Sequence, residues 1–145
     1  MTERWVLDTG PLGRLAYPRA NKSTTDWVRR LRGSGVLLFI PEIADYELRR
    51  EFIRARLSAS LRRLDRMKLE LDYVPIETAT MIRAAEFWAE ARNSGRPAAD
   101  PKELDADVIL AAQAESVGAT VVTENAGHLE LFVPVKHWRE LAPPS

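Results

Sequence analysis

The 145 residues, 46% of them apolar, fit a single globular domain, and the 21 basic and 21 acidic side chains cancel to no net charge. The chain has no cysteine, which excludes disulfides and thiolate metal sites and suits a reducing compartment. No stretch approaches the roughly 20 apolar residues of a membrane-spanning helix, and MTERWVLDTG does not read as a secretory leader. The expectation is a cytoplasmic protein with no membrane partner.

Taken in order, Arg4–Asp8 reads as a short buried strand, broken by Gly10 and Pro11, which open a helical segment. Ser23 or Thr24 is placed to cap a helix carrying Trp27, Val28 and Leu31, stopped by Gly33 and Gly35. Val36–Ile40 is a continuous apolar run, the pattern of a strand covered on both faces. Pro41 then suits the first turn of a helix whose Ala44, Leu48 and Phe52 form a core-facing stripe. Helix continues with a break near Ser58 through Leu61, Leu64 and Met67. Tyr73–Ile76 reads as a strand. From Glu77 to about Arg92 the pattern is helical, with Met81, Ala84, Ala85 and Trp88 on one side. Asn93–Pro97 ends it, and a loop runs to about Lys102. Leu104–Ser116 is an alanine-rich helix, closed by Gly118 and followed by the strand Ala119–Thr123. A short helical turn near Gly127–Leu131 leads to Phe132–Val135, an edge strand by virtue of its proline. Tyr46 and the tryptophans fit core positions better than base stacking. Residues 1–141 form the domain and 142–145 a frayed tail.

Strands alternating with helices imply a three-layer α/β/α domain with a central, mostly parallel sheet. The active crevice of such a sheet lies beyond the carboxyl ends of its strands. Asp8 stands at one such end, and Glu124 and Asn125 at another. Glu47, early in the helix after Val36–Ile40, and Asp107, early in the helix before Ala119–Thr123, fall at the same edge. Converging oxygen ligands suit a hard cation such as magnesium or manganese. Each acid also has a plainer reading: Asp8 as a turn residue, Glu47 as a surface acid paired with Arg50 or Arg54, Asp107 at the positive end of a helix dipole. Asp105 is placed as an N-cap. It diverges from Asp107 by about 200° within one helix, so it assists a metal only from ahead of the helix proper. His128 and His137 are too isolated for a zinc site.

The charge is uneven. Eight basic residues, among them Arg49, Arg50 and Arg54, lie between Arg49 and Lys68 against two acids, and Arg29, Arg30 and Arg32 form a second cluster. The pattern fits either a solvated arginine-rich surface or a face that meets a polyanion.

Val6-Leu-Asp-Thr-Gly-Pro11, Ile40-Pro-Glu-Ile-Ala-Asp-Tyr-Glu-Leu48, and Asp107–Ala114 followed by Gly118–Thr123 together resemble the PIN-domain family, most closely the VapC-type toxins of toxin–antitoxin pairs. The resemblance covers nearly the whole chain, and its specificity lies in the order and separation of short segments. It implies a magnesium-dependent endoribonuclease, with manganese as a substitute ion. Asp8 and Asp107 would be metal ligands, Glu47 a ligand or water orienter, and Asn125 a supporting hydrogen-bond partner. Thr9 and Thr123 would help through their hydroxyls, and the arginines of the 49–68 segment would hold RNA phosphates. It also implies a homodimer and a cognate antitoxin. One departure stands out: many relatives carry aspartate where this chain has Asn125, and Glu124 is one position away. Two alternatives accompany this reading, a PIN nuclease of RNA processing or DNA repair and a catalytically degenerate PIN scaffold. A receiver-like phosphoacceptor fold lacks its acidic pair and lysine here.

Overall fold

A computed structural model describes residues 2–17, 22–95 and 101–141. Five strands form one sheet in the order β3-β2-β1-β4-β5, every neighbouring pair parallel. They are β1 (Arg4–Leu7), β2 (Leu37–Pro41), β3 (Asp72–Val74), β4 (Thr120–Thr123) and β5 (Val135–His137). The helices of the described residues are α1 (Thr9–Ala16), α2 (Lys22–Gly33), α3 (Glu42–Arg54), α4 (Ser58–Glu70), α5 (Thr78–Asn93), α6 (Pro101–Ser116) and α7 (Trp138–Leu141).

Apolar runs become strands buried on both faces, with alternate side chains feeding separate cores. Val6, Phe39 and Val121 pack with Ala84 and Phe87 of α5 and Val108, Ala111 and Ala112 of α6. Trp5, Leu7, Leu38, Ile40 and Val122 turn the other way, onto Leu12, Trp27, Leu48, Phe52, Leu64 and Trp138. The result is the expected α/β/α sandwich. Small residues on α6 let it lie close to the sheet, and its fully buried Gln113 ties the layers together. The Gln113 amide accepts from the Ile43 N–H at 3.1 Å and donates to the Val74 carbonyl at 2.6 Å.

Several boundaries differ from the sequence reading. Pro41 closes β2 and sits at the N-cap of α3 rather than inside its first turn. Its ring fixes φ but leaves ψ extended, so it still belongs to the ladder. The break between α3 and α4 falls at Ala55–Leu57, where Arg56 takes a left-handed φ of 58°. The last strand begins at Val135, because Leu129–Leu131 is a 3-10 turn that carries Phe132 and Val133 into the hydrophobic layer. Its edge position is as expected. Met81, Ala85 and Trp88 do share one side of α5, but they are exposed; the buried side is Thr80, Ala84, Phe87 and Ala91. Tyr46 is also exposed rather than core. The side chains of Ser23 and Thr24, the loop from 96 to 100 and the tail from 142 to 145 lie outside the described residues.

Candidate active site

Strand order places β1 between β2 and β4, so the chain leaves β1 to one side first and returns to the other later. At such a switch point the flanking loops part and leave a crevice at the carboxyl ends. Asp8 follows β1 directly, its backbone N–H held by the Val122 carbonyl at 2.9 Å. One carboxylate oxygen caps α1 by accepting from the Thr9 N–H at 2.7 Å. The other accepts from the hydroxyl of Thr123, the last residue of β4, at 2.7 Å. The Thr123 Oγ1 in turn accepts from the Asn125 N–H at 3.1 Å, which fixes the turn after β4.

Thr9 donates its hydroxyl to Glu47 Oε1 at 2.9 Å, tying α3 to the head of α1. Asp107 reaches the same place from α6. Around Gly127, which has a left-handed φ of 47°, an added methyl would meet Asp107 Oδ2 at 3.6 Å and Asn125 Oδ1 at 3.9 Å. That loop backbone therefore passes close by both side chains, and the Asn125 Oδ1 accepts from the Gly127 N–H at 3.2 Å.

The electrostatics record the crowding. Burial raises Asp107 to about 7, with the negative charges of Asp8, Glu47 and Glu103 adding to it. Asp8 is raised chiefly by burial, opposed by its bonds from Thr123 and Thr9, with a smaller push from Glu124. Asp8 and Glu47 are thus near enough to Asp107 for their charges to act on it. Among the described residues, no three acids stand close enough together to chelate an ion as they are.

Other predicted residues sit elsewhere. Because α6 begins at Pro101 and not at Leu104, Asp105 is inside the helix and is not its N-cap. It lies beside Met81, Ala84, Ala85, Trp88, Val108 and Ile109, on another side of α6 from Asp107. Position ahead of the helix, the condition for its joining a shared metal, is not met. The three arginines expected to hold RNA are engaged with acids or a ring. Arg49 bridges Asp45 and Asp65, Arg54 pairs with Glu51, and Arg50 lies over the Tyr46 ring with Glu47 at 3.8 Å.

Two features went unread in the sequence. Glu103 stands four residues before Asp107 on α6, a spacing that puts both on one face once the helix starts at Pro101. Glu124 pairs with Arg14 of α1 at the rim of the crevice and packs against Gly10, where a methyl would come within 3.1 Å of it. No pattern in the sequence marks that pair, which closes over 110 residues.

The sequence from residue 5 to 131 matches the PIN domain model. The chain belongs to the PIN domain family. PIN domains are nucleases, so the crevice lies on a nuclease fold. Among solved structures, the chain resembles VapBC2 from Rickettsia felis bound to a DNA fragment from its promoter, at 17% identity and a TM-score of 0.75. That match covers 93% of this chain and 98% of the other. DNA-bound VapBC from Salmonella typhimurium matches at 22% identity and a TM-score of 0.67, over 95% and 99% of the two chains. VapBC-1 from nontypeable Haemophilus influenzae matches at 17% identity and 0.69, over 94% and 98%. At these identities the likeness is one of fold. No curated protein matches the sequence. No helix among the described residues is long and apolar enough to cross a membrane.

Proposed function

We propose that this PIN domain is a magnesium-dependent endoribonuclease, acting as the toxin of a VapBC-type pair with a cognate antitoxin, as a cytoplasmic homodimer. The observation that carries the reading is the approach of Asp8 and Glu47 to Asp107 at the carboxyl edge of the sheet, where burial first and their charges second raise its carboxyl. Such crowding is relieved by a cation, and the donors are all oxygens, which suits a hard divalent ion. Asp8 and Asp107 would hold it. Glu47, which accepts from the Thr9 hydroxyl, would take a proton from an attacking water or hold that water, and Asn125, which accepts from the Gly127 N–H, would support that loop. Magnesium binds through one or two carboxylates and keeps several waters. When bound, it supplies positive charge to the scissile phosphate and makes water a better nucleophile.

The test is RNA cleavage with and without magnesium by the parent, Asp8→Asn and Asp107→Asn. Each substitution is expected to lower the rate at least about a hundredfold, since each removes charge from the centre. Cleavage at the parental rate by both would mean that the centre lies elsewhere. Asn125 favours a second reading, a degenerate PIN scaffold, and magnesium-dependent cleavage by the parent rules that out.

A further inference from the structure

Away from the acid crevice, α2 and α4 face each other across a cleft of about 370 Å³. Arg29 and Arg32 project into it from α2, and Arg63 and Arg66 from α4. Each pair has i, i+3 spacing, so each helix turns two guanidinium groups to one side. Leu15, Val28, Met67 and Leu71 make an apolar floor, and Glu70 is the one acid of the lining. Arg63 is committed to the fold: its Nε donates to the Leu15 carbonyl at 2.6 Å. Arg29, Arg32 and Arg66 have no acid partner among the described residues, unlike Arg49 and Arg54. Four like charges lining one concavity repel, and of the four only Arg63 makes a bond that ties the fold together there. They are the arrangement that a polyanion neutralises.

We propose that this cleft is a phosphate-binding exosite for single-stranded nucleic acid, holding the strand while the acid crevice cuts it. The inference rests on the nuclease reading above and moves the nucleic-acid contact from Arg49, Arg50 and Arg54 to Arg29, Arg32 and Arg66. Helix α1 joins the two places. Asp8 is at its head and Leu15, in the cleft wall, near its end, about 10 Å further along at 1.5 Å per residue. A few nucleotides span that length. Exposed guanidinium groups reach phosphates with charge-assisted bonds, and the apolar floor beneath them offers contact to unstacked bases.

The test uses the full chain, a fluorescent 2′-O-methyl oligonucleotide of about a dozen nucleotides that resists cleavage, and EDTA, so that binding is read without chemistry. The variants are Arg29→Ala/Arg32→Ala/Arg66→Ala and, as a milder surface change, Arg29→Gln/Arg32→Gln. The triple variant is expected to weaken binding at least about tenfold and to reduce the slope of log Kd against log salt by about 2, at roughly 0.7 per lost phosphate contact. The double variant should show about two-thirds of that change in slope. Cleavage of a dinucleotide, too short to reach the cleft, should stay at the parental rate. Unchanged affinity and slope in both variants would overturn the proposal. So would a loss confined to an acidic, leucine-containing peptide, which would make the cleft a protein-docking groove. If the parent binds the oligonucleotide through these arginines but cuts no RNA, the nuclease reading fails and the cleft stands only as a phosphate-binding site. If it cuts RNA while ignoring them, only the exosite fails.

Discussion

Replacing Asp107 with asparagine should make the metal-free protein more stable while removing its response to magnesium. In the folded chain Asp107 titrates at about 7, against 3.8 for an unperturbed aspartate, because it is buried and faces Asp8, Glu47 and Glu103. A raised carboxyl binds its proton more tightly when folded, so the folded state is favoured at low pH. That advantage is lost as pH rises from about 4 to about 7, then levels off. At neutral pH the linked cost of ionising it would be on the order of 4 kcal/mol if the group were fully shielded. Asp107 is partly open to water, and screening brings the figure to on the order of 1–2 kcal/mol. Asparagine keeps the shape and removes the charge. In EDTA at pH 7.5, Asp107→Asn should therefore melt about 3–6 °C above the parent, at roughly 3 °C per kcal/mol for a domain of this size. At about pH 4.5 the gap should nearly close. Added magnesium should raise the parent's Tm by mass action and leave the variant's unchanged. Differential scanning calorimetry at both pH values, with and without the ion, reads all of this. A variant that melts below the parent in EDTA at pH 7.5 would refute the repulsion argument. An equal magnesium shift in both proteins would refute the role given to Asp107.

The other predictions concern the frame around that centre. Thr123→Val removes the hydroxyl that orients Asp8 at 2.7 Å and should lower magnesium-dependent cleavage about tenfold or more, with destabilisation of about 1–2 kcal/mol by denaturant titration. Gln113→Leu leaves the Ile43 N–H and Val74 carbonyl buried without their partner, and should cost about 2–4 kcal/mol. Urea unfolding checks it, and a loss under 1 kcal/mol would mean the backbone finds other partners. Asp45, held by Lys68, Tyr73 and Arg49, keeps its carboxyl below the usual range despite burial. Its contribution is present above about pH 4 and lost as pH falls through its lowered value. Asp45→Asn should cost about 2 kcal/mol at pH 7 and flatten the acid limb of the stability profile, which parental acid sensitivity in the variant would contradict.

The PIN-domain fold was legible because it is written in local patterns. Apolar runs such as Val36–Ile40, the Ala44–Leu48–Phe52 stripe and glycines such as Gly118 declare their element with little help from distant residues. Alternation of strand and helix then forces parallel strands and two outer layers. The carboxylates at strand ends were legible for the same reason, since Asp8 needs only its own strand to be placed at the edge. Charge was not. Arg49 looks free in the sequence and is held by Asp45 and Asp65, the latter from another helix. Arg29, Arg32 and Arg66, by contrast, have no acid partner among the described residues. Asp105 fell inside α6, and Glu103 came onto the face of Asp107, when the helix started at Pro101, three residues earlier than the apolar pattern suggested. A helix start turns the whole wheel of side chains that follows.

The amino-acid order by itself settled the layers, the sheet and the edge at which acids gather, because hydrophobic period and chain connectivity act over short range. Only the tertiary structure decided which charges are spent on one another and which remain for a ligand. Electrostatic partners meet through space, and Arg14 finds Glu124 only after the sheet has brought the ends of β1 and β4 together.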